Sequence, residues 1–259
     1  MSDVFSFHEG ESPLLVSVPH DGWQIPADIV QHMTDAGRGI PDTDWHVAQL
    51  YEFARDRGAS MLVANFSRYV IDLNRPVDDA AMYEGRLTTG LCPTQTFAGD
   101  DIYFDDVIID ADERINRYWR PYHDRLAKAL SALRERHGYA LLWDAHSIRS
   151  RVPQLFDGEL PVLNLGSWDD RSCDPGISNA VMAAADASSY DAVLNGRFKG
   201  GYITRCYGRP DDGVHALQLE LAQRAYMNET TLEIDKNKTT ILRATLGNLL
   251  TAFQEAAAG

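Results

Sequence analysis

The chain has 259 residues, 44% hydrophobic and 24% charged, the profile of a globular protein long enough to bury a full core. A formal charge of −14 excludes nucleic acid or an anionic membrane as the default partner, because both attract basic surfaces. A small anionic substrate stays open, since that answers to local rather than net charge. Cys92, Cys173 and Cys206 form no CxxC pair, which fits a reducing cytoplasm and offers no zinc–thiolate site.

The opening stretch lacks a basic region followed by a long apolar core, so no secretory signal is expected. No apolar run approaches the ~20 residues of a membrane span. Neither a repeat nor a linker interrupts the chain, and the expectation is one domain over 1–259, with the oligomeric state left open. Residues 13–20, "PLLVSVPH", read as a buried strand stopped by proline. Residues 42–58 read as a helix, with cap oxygens on Asp42, Thr43 and Asp44 and apolar residues at helical spacing. Two strands are expected at 61–66 and 69–73, closed by Pro76. From about 77 to 107 the chain is rich in Gly, Pro, Asp and Thr, and a long loop excursion is expected. Residues 110–138 predict a long helix kinked at Pro121, with Ile115, Trp119, Leu126, Leu130 and Leu133 along one side.

Next come a strand at "YALLW" (139–143), another at "LPVLNLG" and a helix around 177–187. A strand that runs on toward a helix follows at "GVHALQLELAQRAYM", and a C-terminal helix ends the chain. This alternation implies an α/β protein with a mixed, largely parallel sheet covered by helices on both faces. Ligands in such sheets sit beyond the carboxyl ends of the strands.

His20 follows the first of these strands directly after Pro19, and His146 stands at the end of "LWDAHS". Two imidazoles at two strand ends can share a divalent metal, with a third ligand from Asp42 or Asp44 of "PDTDWH". The competing reading is two structural histidines and two helix caps. Asp144, two residues before His146, falls on the same face if the strand persists and either orients an imidazole or is a loop acid. Arg68, Arg75, Arg149, Arg151, Arg197, Arg205 and Arg209 lie beside apolar strands or glycines. They suggest a pocket for carboxylates, against pairing with Asp72, Asp78 or Asp211. Glu220 shares a strand face with Gln218 amid apolar residues. A carboxylate there must be paired, metal-bound or protonated, and burial raises its pKa toward that of a general base. Ser147 beside His146 makes no triad, and Cys206 has no evident base.

The segments "SVPHDGWQIP", "DTDWHVAQLYEFA", "SRYVIDLNRP", "RYWRPYHDRL", "LWDAHSIRSRVPQLFDGELPVLNLGS" and "LNGRFKGGYITRCYGRPDDGVHALQLEL" resemble the N-formylglutamate amidohydrolase family, from about Pro13 to Met227. The resemblance implies a zinc hydrolase that converts N-formyl-L-glutamate to L-glutamate and formate in bacterial histidine degradation. It also implies a fold like that of the zinc carboxypeptidases and aspartoacylase. The expected ligands are His20 and His146, with one Zn2+ per chain. The carboxypeptidase-like glutamate three residues after the first histidine is replaced by Trp23, so the third ligand comes from elsewhere, with Asp44 preferred to Asp42. Glu220 matches the catalytic glutamate, and Asn74 and Arg75 resemble a pair that holds a substrate carboxylate. Arg68, Arg197 and Arg205 are expected at the other carboxylate or at the carbonyl, and the 77–107 excursion as a lid. The rival expectations are an amidohydrolase for another N-acyl amino acid and a non-catalytic binder of acidic amino acids.

Overall fold

The computed structural model describes residues 3–80, 89–105 and 107–259. Among these described residues, seven strands form a single sheet: β1 (Phe5–His8), β2 (Leu14–Val18), β3 (Ser60–Ala64), β4 (Ala140–Ile148), β5 (Leu163–Gly166), β6 (Ala192–Leu194) and β7 (Val214–Ala222). Their order is β1-β3-β2-β4-β7-β5-β6. The central four strands, β3-β2-β4-β7, run parallel. On one edge β1 pairs antiparallel with β3; on the other β5 pairs antiparallel with β7 and carries β6 parallel to itself. The sheet is therefore mixed and largely parallel, as expected.

Every residue of β2 and β4 is buried, which is why these strands read as unbroken apolar runs rather than alternations. One face presents Leu14, Val16, Trp143, Leu217 and Leu219 to the C-terminal helix Lys236–Ala258. The other presents Leu15, Leu62, Leu142 and Ala216 to Leu126 and Leu130 of the helix Arg120–His137. Along this second face the apolar pairs Ala140↔Val214 and Leu142↔Ala216 give way to Asp144↔Gln218 and His146↔Glu220. The sheet face thus turns polar at its carboxyl end.

Four local expectations are corrected. The predicted helix over 42–58 begins later and is broken into Val47–Tyr51 and Phe53–Asp56. Its first N–H is capped by Asp21 Oδ1 at 3.2 Å, so Asp42 and Asp44 are not needed as caps. Residues 69–73 form no strand; they cross the carboxyl end of the sheet, and their polar atoms are met by side chains. Tyr103 Oη donates to the Tyr69 carbonyl at 2.7 Å and Arg114 to that of Val70 at 2.9 Å. The apolar run "YVI" marks burial, not pairing. The kink expected at Pro121 is a π turn, Ile115–Trp119, just before the helix that carries the proline. Pro121 has no N–H to bond four residues back, and the wider turn absorbs the gap. The edge strand β1 has no counterpart among the expected elements. The described part of 77–107 is irregular, pinned by bridges Gln95↔Asp101 and Met33↔Tyr103. The lid expectation falls partly on 81–88 and 106, outside the described residues. Among the described residues no helix is long and apolar enough to cross a membrane.

Candidate active site

His20 leaves the end of β2, and its carbonyl accepts the backbone N–H of Asp44 at 3.1 Å, which ties the turn before Val47–Tyr51 to that strand end. Asp44 Oδ2 lies 3.0 Å from His146 Nδ1 and 3.7 Å from His20 Nδ1, and it accepts the Ser147 N–H at 3.0 Å. The two imidazole centroids are 4.9 Å apart. One donor atom from each of His20, Asp44 and His146 can be chosen so that all lie within 4.8 Å of one another, and all three residues are buried. Asp42 is not in this group. Its carboxylate accepts the Tyr69 hydroxyl and the Phe97 N–H.

Both imidazoles turn Nδ1 toward Asp44 and Nε2 toward a further buried acid. His20 Nε2 is 2.7 Å from Asp72 Oδ1, and His146 Nε2 is 3.2 Å from Asp144 Oδ1. The second contact lacks hydrogen-bond alignment, and Asp144 Oδ1 is a buried oxygen without a hydrogen-bond partner. Thr204 Oγ1 serves the other Asp144 oxygen at 3.0 Å. A carboxylate behind a histidine fixes the ring and raises its basicity as a ligand.

Glu220 stands directly opposite His146 across the β4–β7 ladder. Gln218 Nε2 donates to Glu220 Oε2 at 3.3 Å, and Gln218 Oε1 accepts the Gly201 N–H at 2.6 Å. His20, Asp44, His146 and Glu220 open on one cleft, whose walls include Arg68, Asn74, Arg75 and Arg197, with Phe97, Leu155 and Phe198 at its apolar side.

Residues 12–227 match the sequence model of the N-formylglutamate amidohydrolase family. The chain belongs to this family. It is 51% identical over 234 residues to N-formylglutamate deformylase of Pseudomonas putida, covering 89% of this chain and 87% of that one. It is likewise 51% identical over 236 residues to N-formylglutamate deformylase of Pseudomonas aeruginosa, covering 88% and 87%. The solved structure of N-formylglutamate amidohydrolase from Ralstonia eutropha JMP134 superposes with a TM-score of 0.82 at 27% identity, covering 98% of this chain and 97% of that one.

In this N-formylglutamate amidohydrolase family member the donor set fits a divalent cation. Four buried carboxylates, Asp44, Asp72, Asp144 and Glu220, surround two imidazoles and the Arg68 guanidinium. A cation among these acids relieves their mutual repulsion, and imidazole with carboxylate is a donor set that suits zinc. The electrostatics agree. Burial opposes ionisation of Asp44, yet His146 and His20 outweigh it and hold its pKa below the ordinary range. Burial also opposes a charged His146, yet Asp144 and Asp44 raise its pKa well above the ordinary imidazole value. Glu220 is pushed up to about 8, chiefly by burial, with His146 pulling down and Asp44 pushing further up.

The arginines separate. Arg75 and Arg197 line the cleft; Arg75 Nε is held by the Thr89 carbonyl at 2.9 Å and Arg197 Nε by that of Leu155 at 2.8 Å. Arg68 also lines it, but in an ion pair at 2.6 Å with Asp72 and 3.7 Å from Asp44. Asn74 Nδ2 is 3.0 Å from His146 Nε2, and its Oδ1 accepts the Ile203 N–H at 2.8 Å. Arg205 is not brought to the cleft: its Nε donates to the Gly200 carbonyl at 2.8 Å, with its guanidinium 5.8 Å from the Trp168 ring. Trp23, at the position of the missing glutamate, is 65% exposed. Sequence reasoning gives Asp72 no role beyond ion pairing. Its one signal is a lone acid inside the apolar run "YVIDL".

Proposed function

We propose that this protein is a zinc-dependent amidohydrolase of the cytoplasm that cleaves the formamide of N-formyl-L-glutamate to L-glutamate and formate. The observation that carries the proposal is the convergence of His20, Asp44 and His146 in one buried group beside Glu220, in a cleft flanked by Arg75 and Arg197. The 51% identity to two proteins named N-formylglutamate deformylase supports the substrate.

His20 Nδ1, His146 Nδ1 and Asp44 would hold the metal, with Asp72 holding the far side of the His20 ring and the Asp144 carboxylate lying 3.2 Å behind that of His146. A zinc ion supplies Lewis acidity toward a carbonyl oxygen and lowers the pKa of water. Glu220 takes a proton from the water that attacks the formyl carbon. It returns that proton to the nitrogen as the C–N bond breaks, so that the amine rather than an amide anion leaves. Gln218 holds Glu220 Oε2 in place while this happens.

Two substrate carboxylates need two cations, and Arg75 and Arg197 serve them by bidentate pairing. Arg68, paired with Asp72 and Asp44, steadies the acids of the site. Phe97, Leu155 and Phe198 shield the small acyl group from water. One domain carries all of these parts.

The deciding assay measures formate release from N-formyl-L-glutamate before and after chelation, with metal analysis of the purified protein. Undiminished turnover in protein stripped of metal sinks the zinc assignment. No turnover on this substrate, with turnover on an N-acetyl or N-carbamoyl amino acid, sinks the substrate assignment alone.

A further inference from the structure

Residues 72–75 supply three parts of the site: Asp72 behind His20, Asn74 against His146, and Arg75 on the cleft wall. They belong to no strand, so no ladder fixes their backbone. The π turn and the helix after it do so instead. Trp119 Nε1 donates to the Arg75 carbonyl at 3.0 Å, and His123 Nε2 is 2.8 Å from the Leu73 carbonyl. These two carbonyls flank Asn74. A carbonyl can only accept, so His123 carries its proton on Nε2, which leaves Nδ1 as an acceptor facing Tyr207 Oη at 3.0 Å; that hydroxyl also lies 3.2 Å from the His123 carbonyl. Burial pushes the pKa of His123 down to about 4, which keeps this neutral tautomer near neutral pH.

Trp119 and His123 are four apart and stack, with centroids 3.7 Å apart and planes at 21°, so each fixes the other's ring. The π turn explains why they face this segment. Arg114, at its leading edge, donates to the Val70 carbonyl at 2.9 Å. Five residues separate Arg114 from Trp119, a spacing that diverges on an α-helix but returns to one face across a π turn, whose bonds run from i to i+5. Arg114, Trp119 and His123 thus form one row of donors along the irregular stretch 70–75.

We propose that Trp119 and His123 are positioning residues that hold the Asn74–Arg75 corner of the active site through its backbone carbonyls. The proposal rests on Arg75 as a substrate anchor.

The test is steady-state kinetics on N-formyl-L-glutamate with metal-loaded protein, comparing wild type with Trp119→Phe, His123→Leu, His123→Gln and Arg75→Lys. Trp119→Phe keeps the stack and removes one N–H. It should raise KM about three- to tenfold, the size of one hydrogen bond, with kcat little changed. His123→Leu removes the Leu73 partner and should lower kcat/KM about 10- to 100-fold, the usual loss when a group supporting a site residue is removed. His123→Gln, whose amide N–H reaches the place of Nε2, should recover most of it. A purely structural role would move melting temperature without this split or this rescue. Wild-type KM in Trp119→Phe, or a Gln variant no better than Leu, overturns the proposal. If His123→Leu does not fold, Trp119→Phe decides alone. Unchanged KM in Arg75→Lys overturns the anchor assignment itself, a failure distinct from an unmoved Trp119→Phe.

Discussion

His146 and Glu220 are register partners on the adjacent parallel strands β4 and β7, so a metal-ligand candidate and a base candidate stand on one sheet face. The ladder fixes both backbones, and Gln218, two residues earlier on the same face, holds the Glu220 carboxyl. Rigid strands set such a pair more closely than loops can. Glu220→Gln should lower kcat by roughly 10^2- to 10^4-fold, the usual weight of general acid–base catalysis. Metal content and substrate KM should be little altered. Retained turnover in a metal-loaded Gln variant removes Glu220 from the mechanism.

The Glu220 pKa of about 8, against 4.5 for an ordinary glutamate, has a consequence for the metal-free protein. A raised folded-state pKa means its contribution to stability is complete below pH 4.5 and is lost as pH climbs to about 8. Glu220→Gln lacks that titration. Urea midpoints of the chelated proteins should therefore diverge with rising pH. By pH 9 the Gln variant should be the more stable by a few kcal/mol, since each tenfold change in proton affinity is worth about 1.36 kcal/mol. In the metal-loaded enzyme the nearby cation favours the ionised form, so the acid limb of kcat/KM should lie below 8. Parallel midpoint curves would show that Glu220 ionises as an ordinary glutamate does.

Asp72 holds His20 at 2.7 Å and Arg68 at 2.6 Å. Burial opposes its charge, but Arg68 and His20 keep its pKa well below the ordinary carboxylate range. Asp72→Asn should weaken metal binding about 10- to 100-fold in a chelator-competition titration. Asp72→Ala should also destabilise the fold by roughly 3–5 kcal/mol, because the Arg68 guanidinium is left buried without its main partner. Wild-type metal affinity in Asp72→Asn would mean that His20 needs no carboxylate behind it.

Arg197 and Arg205 are indistinguishable in the sequence, yet only Arg197 lines the cleft. Arg197→Ala should raise KM about 10- to 100-fold, the loss of a charged hydrogen-bonding partner. Arg205→Ala should leave KM within about twofold, since Arg205 is not on the cleft wall and substitutions away from a site have small effects on it. Comparable KM values for the two variants would contradict this division.

Gly201 touches Asn74 so closely that a Cβ there would sit 2.1 Å from Asn74 Nδ2. Gly201→Ala must push Asn74 off His146, and overpacking of this kind costs about 1–3 kcal/mol. The variant should melt lower and lose kcat/KM. A crystal structure with Asn74 unmoved would show that the backbone yields instead.

The sequence by itself determined the sheet class, because strands buried on both faces must be apolar throughout and their polar residues can gather only at their ends. It also put His20 and His146 at those ends, and Glu220 on the face of an apolar strand beside Gln218. It could not determine which acid joins the histidines. Asp42 and Asp44 look alike as helix caps, and only the tertiary structure, by supplying Asp21 as the cap, turns Asp44 inward and ties Asp42 to Tyr69 and Phe97. Nor could it sort the arginines, since a guanidinium's partner is set by folds of chain far from it in sequence. Residues 69–75 mislead for the same reason. Their apolar pattern records burial, but whether a buried backbone is satisfied by a neighbouring strand or by Tyr103, Arg114, Trp119 and His123 depends on what packs beside it, and local periodicity carries no trace of that.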